Sequence, residues 1–218
     1  MIPLKDIDRK QISFPLITVM IIGLNAFMFL LELSGGEDFV VRWSLIPSDF
    51  ISGRDWLTIL TATFMHGSVL HIAGNMIYLC AFGPVIEDAM GRGWFLVFYV
   101  VGGTIAFLAQ ILMDPASTEP NLGASDAIAA VMGAFLITFP RDRIRTLVFF
   151  GFFVSITFIP PVILVGFWFL LQLLSEFGAL IQRHNASVAY MAHIGGFLFG
   201  LLTARFFEYR GRNIRTGM

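Results

Sequence analysis

The chain has 218 residues, of which 57% are hydrophobic and only 13% are charged. Soluble domains carry about 25% charged residues, and a soluble fold of this length would have too few polar groups to cover so much apolar surface. The composition therefore favours an integral membrane protein whose apolar surface contacts the lipid bilayer. The net charge of −1 gives no support for nucleic-acid binding, and a single cysteine, Cys80, excludes an internal disulfide framework.

Six apolar stretches are candidates for membrane spans. A spanning helix needs roughly 20 mostly apolar residues, and five stretches come close to or reach that length. The remaining stretch is shorter and rich in alanine and glycine, which suits a central helix packed on all sides. In chain order the six predicted spans are residues 14–33, 69–86, 94–113, 123–139, 161–181 and 188–207. The sequence thus predicts one all-α membrane domain at residues 14–208, between tails at 1–13 and 209–218.

The basic residues predict how these spans are oriented. With six spans, eleven lysines and arginines lie on one side of the membrane and three on the other, so the positive-inside rule places both termini in the cytoplasm. The eleven are Lys5, Arg9, Lys10, Arg92, Arg141, Arg143, Arg145, Arg205, Arg210, Arg212 and Arg215. Counting residues 146–160 as a seventh span would send the basic tail outward. We therefore interpret that segment as lying on the membrane surface or extending the fifth helix.

The ends of the chain and its first loop also suggest a location. The first span is too long for a cleavable signal peptide, and no small-x-small cleavage site follows it. The short N-terminal tail and the lack of additional domains favour a multi-pass protein of a bacterial inner membrane. The first loop, residues 34–58, holds Trp43 and Trp56 and is expected to be structured at the membrane interface.

Five polar residues in or beside the spans require an explanation, because polar groups are costly in lipid. They are His66, His71, Asn75, Ser125 and His193. Ser125 begins the fourth span, where a helix N-terminus offers unpaired backbone N–H groups and a partial positive charge. These donors would stabilise an oxyanion formed beside the hydroxyl. The alternative is that Ser125 only caps the helix.

His193 lies above a strip of small residues on the last span. Gly196 and Gly200 follow it on roughly the same helical face, and the fourth span repeats small residues from Ser125 at every fourth position. Two such strips permit close backbone contact, which would bring the histidine within hydrogen-bond reach of the serine and let it act as a base. The alternative is a histidine satisfied by a backbone carbonyl.

His71 and Asn75 share one face of the second span because they are four residues apart. Both side chains donate hydrogen bonds and would complete an oxyanion hole, the alternative being a structural polar cluster between helices. His66 immediately precedes this span, and we expect it to fix the loop through a hydrogen bond.

Taken together, these motifs resemble the rhomboid intramembrane serine proteases. The resemblance rests on the stretch from His66-Gly67 through His71 to Asn75, on Gly123-Ala124-Ser125, and on Ala192-His193 followed by Gly196 and Gly200. It covers roughly residues 43–205. Single motifs of this kind are weak, but three in the family's order on the matching spans are specific.

The resemblance implies a function for each of these residues. Ser125 would be the nucleophile and His193 the general base of a dyad, while His71, Asn75 and the Ser125 N–H would hold the oxyanion. Gly123 would keep the backbone open beside the nucleophile. Substrates would be transmembrane segments of other proteins, entering sideways near the fifth helix into a water-filled cavity. No metal or cofactor is implied, and the oligomeric state is not readable.

The chain departs from the family pattern at two points. The family usually has glycine after the nucleophile, where this chain has Asp126, and a Trp-Arg pair of its first loop is here Trp56-Leu57. Asp126 supports the alternative of an inactive relative that binds membrane clients without cleaving them.

Two other functions are weakly supported by the sequence. A metal site could be built from His66, His71 and His193, but the chain lacks a second ligand pair at motif spacing such as His-Glu-x-x-His. A transporter would favour internal repeats or deep charges, which the sequence lacks.

Overall fold

The computed structural model describes residues 1–9, 11–150, 153–182 and 190–216, and the side chains of these residues except those at 150, 175–182 and 209–216. Lys10, Arg183 and the beginning of the predicted last span at residue 188 lie outside the described residues. The same holds for the side chains of the basic tail from residue 209 onward. The side of the membrane on which the basic residues lie therefore stays a prediction.

Each predicted span coincides with a helix among the described residues. The helices are α1 (Leu16–Trp43), α2 (Pro47–Ile51), α3 (Thr58–Thr61), α4 (Val69–Met90), α5 (Arg92–Met113), α6 (Ser125–Thr138), α7 (Pro161–Gln182) and α8 (Tyr190–Thr216). Helix α1 continues beyond the predicted end of the first span, but its backbone breaks at Gly36, which has a positive φ of 66° that glycine adopts without steric cost. The predicted first loop therefore starts with helix and also contains α2 and the first residue of α3.

Within the described residues, four helical segments are long and apolar enough to cross a membrane. They are Leu16–Trp43, Val69–Met90, Arg92–Met113 and Tyr190–Glu208, and the shorter apolar helices are Ser125–Thr138 and Pro161–Leu174. The protein is therefore a mostly helical, multi-pass membrane protein.

Helix α6 lies at the centre of the helical bundle, as its short alanine-rich sequence predicted. Every residue from Asp126 to Phe135 is buried, and α6 packs against α4, α5 and α8. Small side chains make this possible, because they let neighbouring helices approach closely without a bulky residue between them. The prediction of a helix packed on all sides is confirmed.

A three-stranded sheet departs from the all-α prediction. Strands β1 (Ile2–Asp6), β2 (Ile144–Phe150) and β3 (Phe153–Ile159) pair in antiparallel fashion with β2 in the middle. The interpretation of residues 146–160 as an extension of the fifth helix is wrong, because α7 begins only at Pro161. A proline at the first helical position suits a helix start, and the proline before it disfavours helix upstream. The placement of residues 146–160 at the membrane surface stays a prediction.

Polar contacts gather the N-terminal segment and the ends of several helices at one end of the molecule. Arg9 pairs with Asp142 at 2.6 Å, and Arg143 pairs with Asp8 at 2.7 Å. The buried Glu87 carboxylate accepts the backbone N–H of Thr18 at 2.8 Å and thereby caps the start of α1. Since α6 ends near this face, its first residue, Ser125, lies toward the opposite end of the bundle.

Candidate catalytic site

Ser125 is the first residue of α6, and its hydroxyl is not used as a helix cap. The cap position is taken by Ala124, and no side chain caps the helix. The structure thus contradicts the alternative that Ser125 serves only as an N-cap. The hydroxyl is free to point toward α8, and the unpaired N–H groups of the first helical turn lie beside it.

The structure brings Ser125 and His193 together across the contact between α6 and α8. Ser125 Oγ lies 2.8 Å from Nε2 of His193, and the histidine side chain is only 13% exposed. This is the distance at which a hydroxyl donates a hydrogen bond to an imidazole nitrogen. The alternative, in which His193 is satisfied by a backbone carbonyl, does not describe this geometry.

Glycines set the short distance between the two helices. A Cβ atom on Gly196 would lie 2.3 Å from the carbonyl oxygen of Asp126, and one on Gly200 would lie 1.9 Å from that of Ala130. On the other helix, a Cβ on Gly133 would lie 2.2 Å from the carbonyl oxygen of Phe197. Backbone on both helices occupies the space that larger residues would need, so these glycines are what allows Ser125 to reach His193.

His71 and Asn75 face Ser125 from the beginning of α4. The Ser68 side chain caps this helix by accepting the backbone N–H of His71 at 3.2 Å, which fixes the first turn that carries the imidazole. Asn75 is buried, and its Nδ2 amide has no hydrogen-bond partner among the residues that the structure describes. A buried donor without a partner is costly, and here it lines a cavity beside Ser125.

Gly123 occupies a position that only glycine fits. Its φ is +144°, and an added Cβ would lie 3.0 Å from both Nε2 of His71 and Oγ of Ser125. Its backbone N–H donates to the carbonyl of Ala62 at 2.9 Å, which ties the segment before α6 to the segment before α4. The absence of a side chain leaves open the space between the hydroxyl and the imidazole.

His66 is buried behind His71 and anchors the loop through its backbone. Its N–H donates to the Glu32 carboxylate, at 2.9 Å to Oε1, and its ring meets that of His71 edge-on with 5.1 Å between centroids. The sequence predicts a loop-fixing hydrogen bond for His66 but does not identify its acceptor. A glutamate within the first predicted span was the available signal, because acidic residues in spans need partners.

Asp126, the departure from the family pattern, is also part of this site. The residue is 3% exposed, and Oδ1 lies 3.6 Å from Nε2 of His193. Although side chains one position apart on a helix diverge by about 100°, Asp126 and Ser125 thus approach the same imidazole nitrogen. The carboxyl is too far from Nε2 for a good hydrogen bond. An ionised carboxylate at this distance would nevertheless favour the protonated, positively charged imidazole.

Gln172 on α7 is a site residue that the sequence reasoning missed. Its side-chain oxygen lies 2.8 Å from Nδ1 of His193, on the opposite edge of the ring from Ser125. Trp168, one turn earlier, places its ring 5.8 Å from the imidazole, centroid to centroid. The available signal was a lone glutamine within the predicted fifth span, which needs a partner there for the same reason as Glu32.

A cavity of about 560 Å³ opens onto these groups. It reaches Ser125, His193, His71 and Asn75, and Trp168 of α7 forms part of its wall. Its volume falls within the range of small-molecule binding pockets. The arrangement holds a nucleophile, a base and hydrogen-bond donors around one space.

The described residues contain no group of three or more histidine, cysteine, aspartate or glutamate side chains arranged to hold a metal ion. The cavity wall includes the hydroxyl of Ser125, the imidazoles of His71 and His193, the amide of Asn75 and the carboxyl of Asp126.

Comparison with known proteins identifies the family. A family model described as Rhomboid domain matches residues 53–210. Rhomboid protease GluP of Bacillus subtilis is 28% identical over 194 residues, which are 87% of this chain and 34% of the relative. Rhomboid protein 1, mitochondrial, of Saccharomyces cerevisiae is 28% identical over 189 residues, which are 84% and 50%. The human presenilin-associated rhomboid-like protein, mitochondrial, is 28% identical over 151 residues, 65% and 35%.

The chain spans about a third to a half of the length of these curated relatives. The matched domain nevertheless covers most of the chain and contains each candidate site residue from His66 to Gly200. The chain belongs to the rhomboid family.

Proposed function

We propose that this protein is an intramembrane serine endopeptidase that cleaves transmembrane segments of other membrane proteins. The observation that carries the proposal is the 2.8 Å distance between Ser125 Oγ and His193 Nε2. Nucleophilic catalysis by serine needs a base at this distance. Membership of the rhomboid family supports the same chemistry.

The proposed reaction proceeds through an acyl-enzyme. Ser125 Oγ bonds to the carbonyl carbon of the scissile peptide while its proton passes to Nε2 of His193. Collapse of the oxyanion breaks the C–N bond, the proton on Nε2 passes to the leaving amine, and the acyl group stays on Ser125 as an ester. Water then gives a proton to Nε2 as its oxygen attacks the ester, and Ser125 leaves with that proton.

The oxyanion would be held by three donors in this proposal. They are the His71 imidazole, the Asn75 amide and the backbone N–H of Ser125. The free Nδ2 donor of Asn75 supports this assignment, since among the described residues it has no other partner. The N-terminal end of α6 adds a partial positive charge at the same point. Gly123, Gly196 and Gly200 are proposed to support the geometry.

We propose six membrane spans with both termini in the cytoplasm, residues 14–208 forming the catalytic domain between tails at 1–13 and 209–218. The pairing of β1 with β2 supports this topology, because it holds the N-terminus and the segment after α6 at the same end. Substrates would reach the cavity past α7, whose Trp168 lines it. A bacterial inner membrane stays our proposal for its location: one relative is from Bacillus subtilis, whereas the yeast and human relatives, at the same 28% identity, are mitochondrial.

The proposal is tested by incubating the purified full chain in liposomes with a single-span substrate. We expect the native chain to cleave it, and we expect Ser125→Ala and His193→Ala to lose at least about 10³-fold in rate, because removal of either dyad member abolishes nucleophilic activation. Full cleavage by both folded variants would disprove the assignment.

A second candidate function is supported by Asp126. An ionised carboxylate 3.6 Å from Nε2 of His193 would oppose an oxyanion formed nearby, and such a chain would bind membrane clients without cleaving them. Asp126→Gly, which restores the usual family residue, distinguishes the two. Cleavage that appears only in this variant would support the binding function, whereas cleavage by the native chain would exclude it.

A further inference from the structure

The second ring nitrogen of the candidate base has a specific partner. Nδ1 of His193 lies 2.8 Å from Oε1 of Gln172, while Nε2 lies 2.8 Å from Ser125 Oγ. The imidazole is therefore held at both edges by side chains from two different helices, α7 and α6. We propose that Gln172 is a positioning residue that fixes the tautomer and orientation of His193. This rests on the proposed function of His193 as the base.

The chemistry of imidazole explains why one partner matters so much. A neutral imidazole carries one N–H and one lone pair, and the partner of one nitrogen decides where the proton resides. A side-chain oxygen at Nδ1 accepts a hydrogen bond, so it favours the proton on Nδ1. Nε2 is then left with the lone pair that must accept the Ser125 proton.

Asp126 is the group that would compete with this positioning from the other ring nitrogen. Its carboxyl oxygen lies 3.6 Å from Nε2 of His193 and, if ionised, favours a proton on that nitrogen, which is the tautomer unable to act as a base toward Ser125. The Gln172 oxygen favours the opposite tautomer from the other edge of the ring. As a neutral amide, it does so without bringing a second charge into the buried site.

The packing of α7 holds Gln172 in place. Phe169 stacks on Phe197 of α8 with 4.2 Å between ring centroids, and Trp168 lies against the imidazole itself. These contacts come from the turn of α7 that precedes Gln172. They direct its half-buried side chain toward His193, while the neighbouring Leu173 is exposed on the outside of the bundle.

The first experiment reads the tautomer directly. Nitrogen-15 NMR of the full chain in lipid, with labelled histidine and His193→Ala for assignment, reports which ring nitrogen carries the proton. We expect the proton on Nδ1 in the native chain and a shift toward Nε2 in Gln172→Met, which keeps the length but removes the acceptor. A native ring protonated on Nε2, or an unchanged Gln172→Met spectrum, would overturn the proposal.

The second experiment measures catalysis on a single-span substrate. We expect Gln172→Met to lower kcat about tenfold with little change in KM. A decrease in kcat of this size corresponds to the loss of one net hydrogen bond. Gln172→Glu keeps an acceptor at Nδ1 and is expected to recover most of that loss while changing the pH profile of the rate. Leu173→Met, on the outside of α7, is the control and should match the native chain.

The outcomes separate this proposal from the function it rests on. A native chain that does not cleave the substrate and is not modified at Ser125 by a fluorophosphonate would contradict the protease function. The NMR result would still test the tautomer. An active native chain with a fully active Gln172→Met variant would contradict the positioning role alone. Loss of activity in Gln172→Glu as severe as in Gln172→Met would also contradict it.

Discussion

Gly196→Ala is expected to separate α6 and α8 at the level of the candidate dyad. The new Cβ would lie 2.3 Å from the carbonyl oxygen of Asp126, whereas ordinary contact begins at 3.4 Å. The obstacle is backbone, which cannot rotate away as a flexible side chain would. The helices must therefore move apart by about 1.1 Å, and this contact lies at the residue immediately after Ser125.

The consequence for the dyad follows from that displacement. If the separation is transmitted in full, the distance from Ser125 Oγ to His193 Nε2 rises from 2.8 Å to about 3.9 Å, beyond hydrogen-bond reach. A misplacement of about 1 Å costs on the order of 10²-fold in rate. Overpacking also lowers the free energy of unfolding by about 1–3 kcal/mol, which leaves a folded protein to assay.

The assay compares cleavage of a single-span substrate in liposomes, with a thermal unfolding midpoint to establish that each variant is folded. Gly23→Ala on α1 is the matched control, because nothing lies within 4 Å of its added Cβ. We expect the control to cleave at the native rate and Gly196→Ala to lose about 10²-fold. A folded Gly196→Ala variant with native activity would refute the argument that this contact sets the dyad distance.

Three further perturbations test other parts of the structure. Asn75→Ala should lower kcat by about 10²-fold to 10³-fold with little effect on KM, as loss of an oxyanion donor does; equal kcat values would remove Asn75 from the oxyanion hole. Burial, with the neighbouring Asp142 adding to it, raises the pKa of Asp6 to about 6, so the folded chain loses stability as pH rises from about 4 through 6. Asp6→Asn should therefore raise the unfolding midpoint at pH 7.5 and leave it unchanged at pH 3; a gain at both would implicate something other than titration. A spin label at Phe153→Cys, with Cys80→Ala, should be accessible to oxygen rather than to a water-soluble relaxant if the β2–β3 hairpin lies on the membrane.

The positions of the helices were predictable because membrane spans depend on a local property, the length of an apolar run. The small sheet was not predictable in the same way. Residues 146–160 are apolar, and a short apolar run does not distinguish strand from helix. What makes them strands is pairing, and β2 pairs with β1 from the far N-terminus. Such contacts between distant parts of a chain leave no periodic signal in either segment.

The candidate site was predictable to the extent that its residues stand out in a span. Ser125, His193, His71 and Asn75 are polar groups in apolar surroundings, and their motifs are specific in combination. Gln172 stands out in the same way but belongs to no motif, so its partner emerged only from the packing of α7 against α8. The direction of the Asp126 side chain could not be predicted either, because it depends on where His193 lies relative to the first turn of α6.

In the proposed mechanism, His193 activates Ser125 as a nucleophile. This activation can be measured by reacting the full chain in liposomes with a fluorophosphonate and mapping the modified residue by peptide mass spectrometry. We expect labelling at Ser125 in the native chain and a loss of at least about 10³-fold in the labelling rate in His193→Ala. A folded native chain without modification at Ser125, or equal rates in the two proteins, would contradict it.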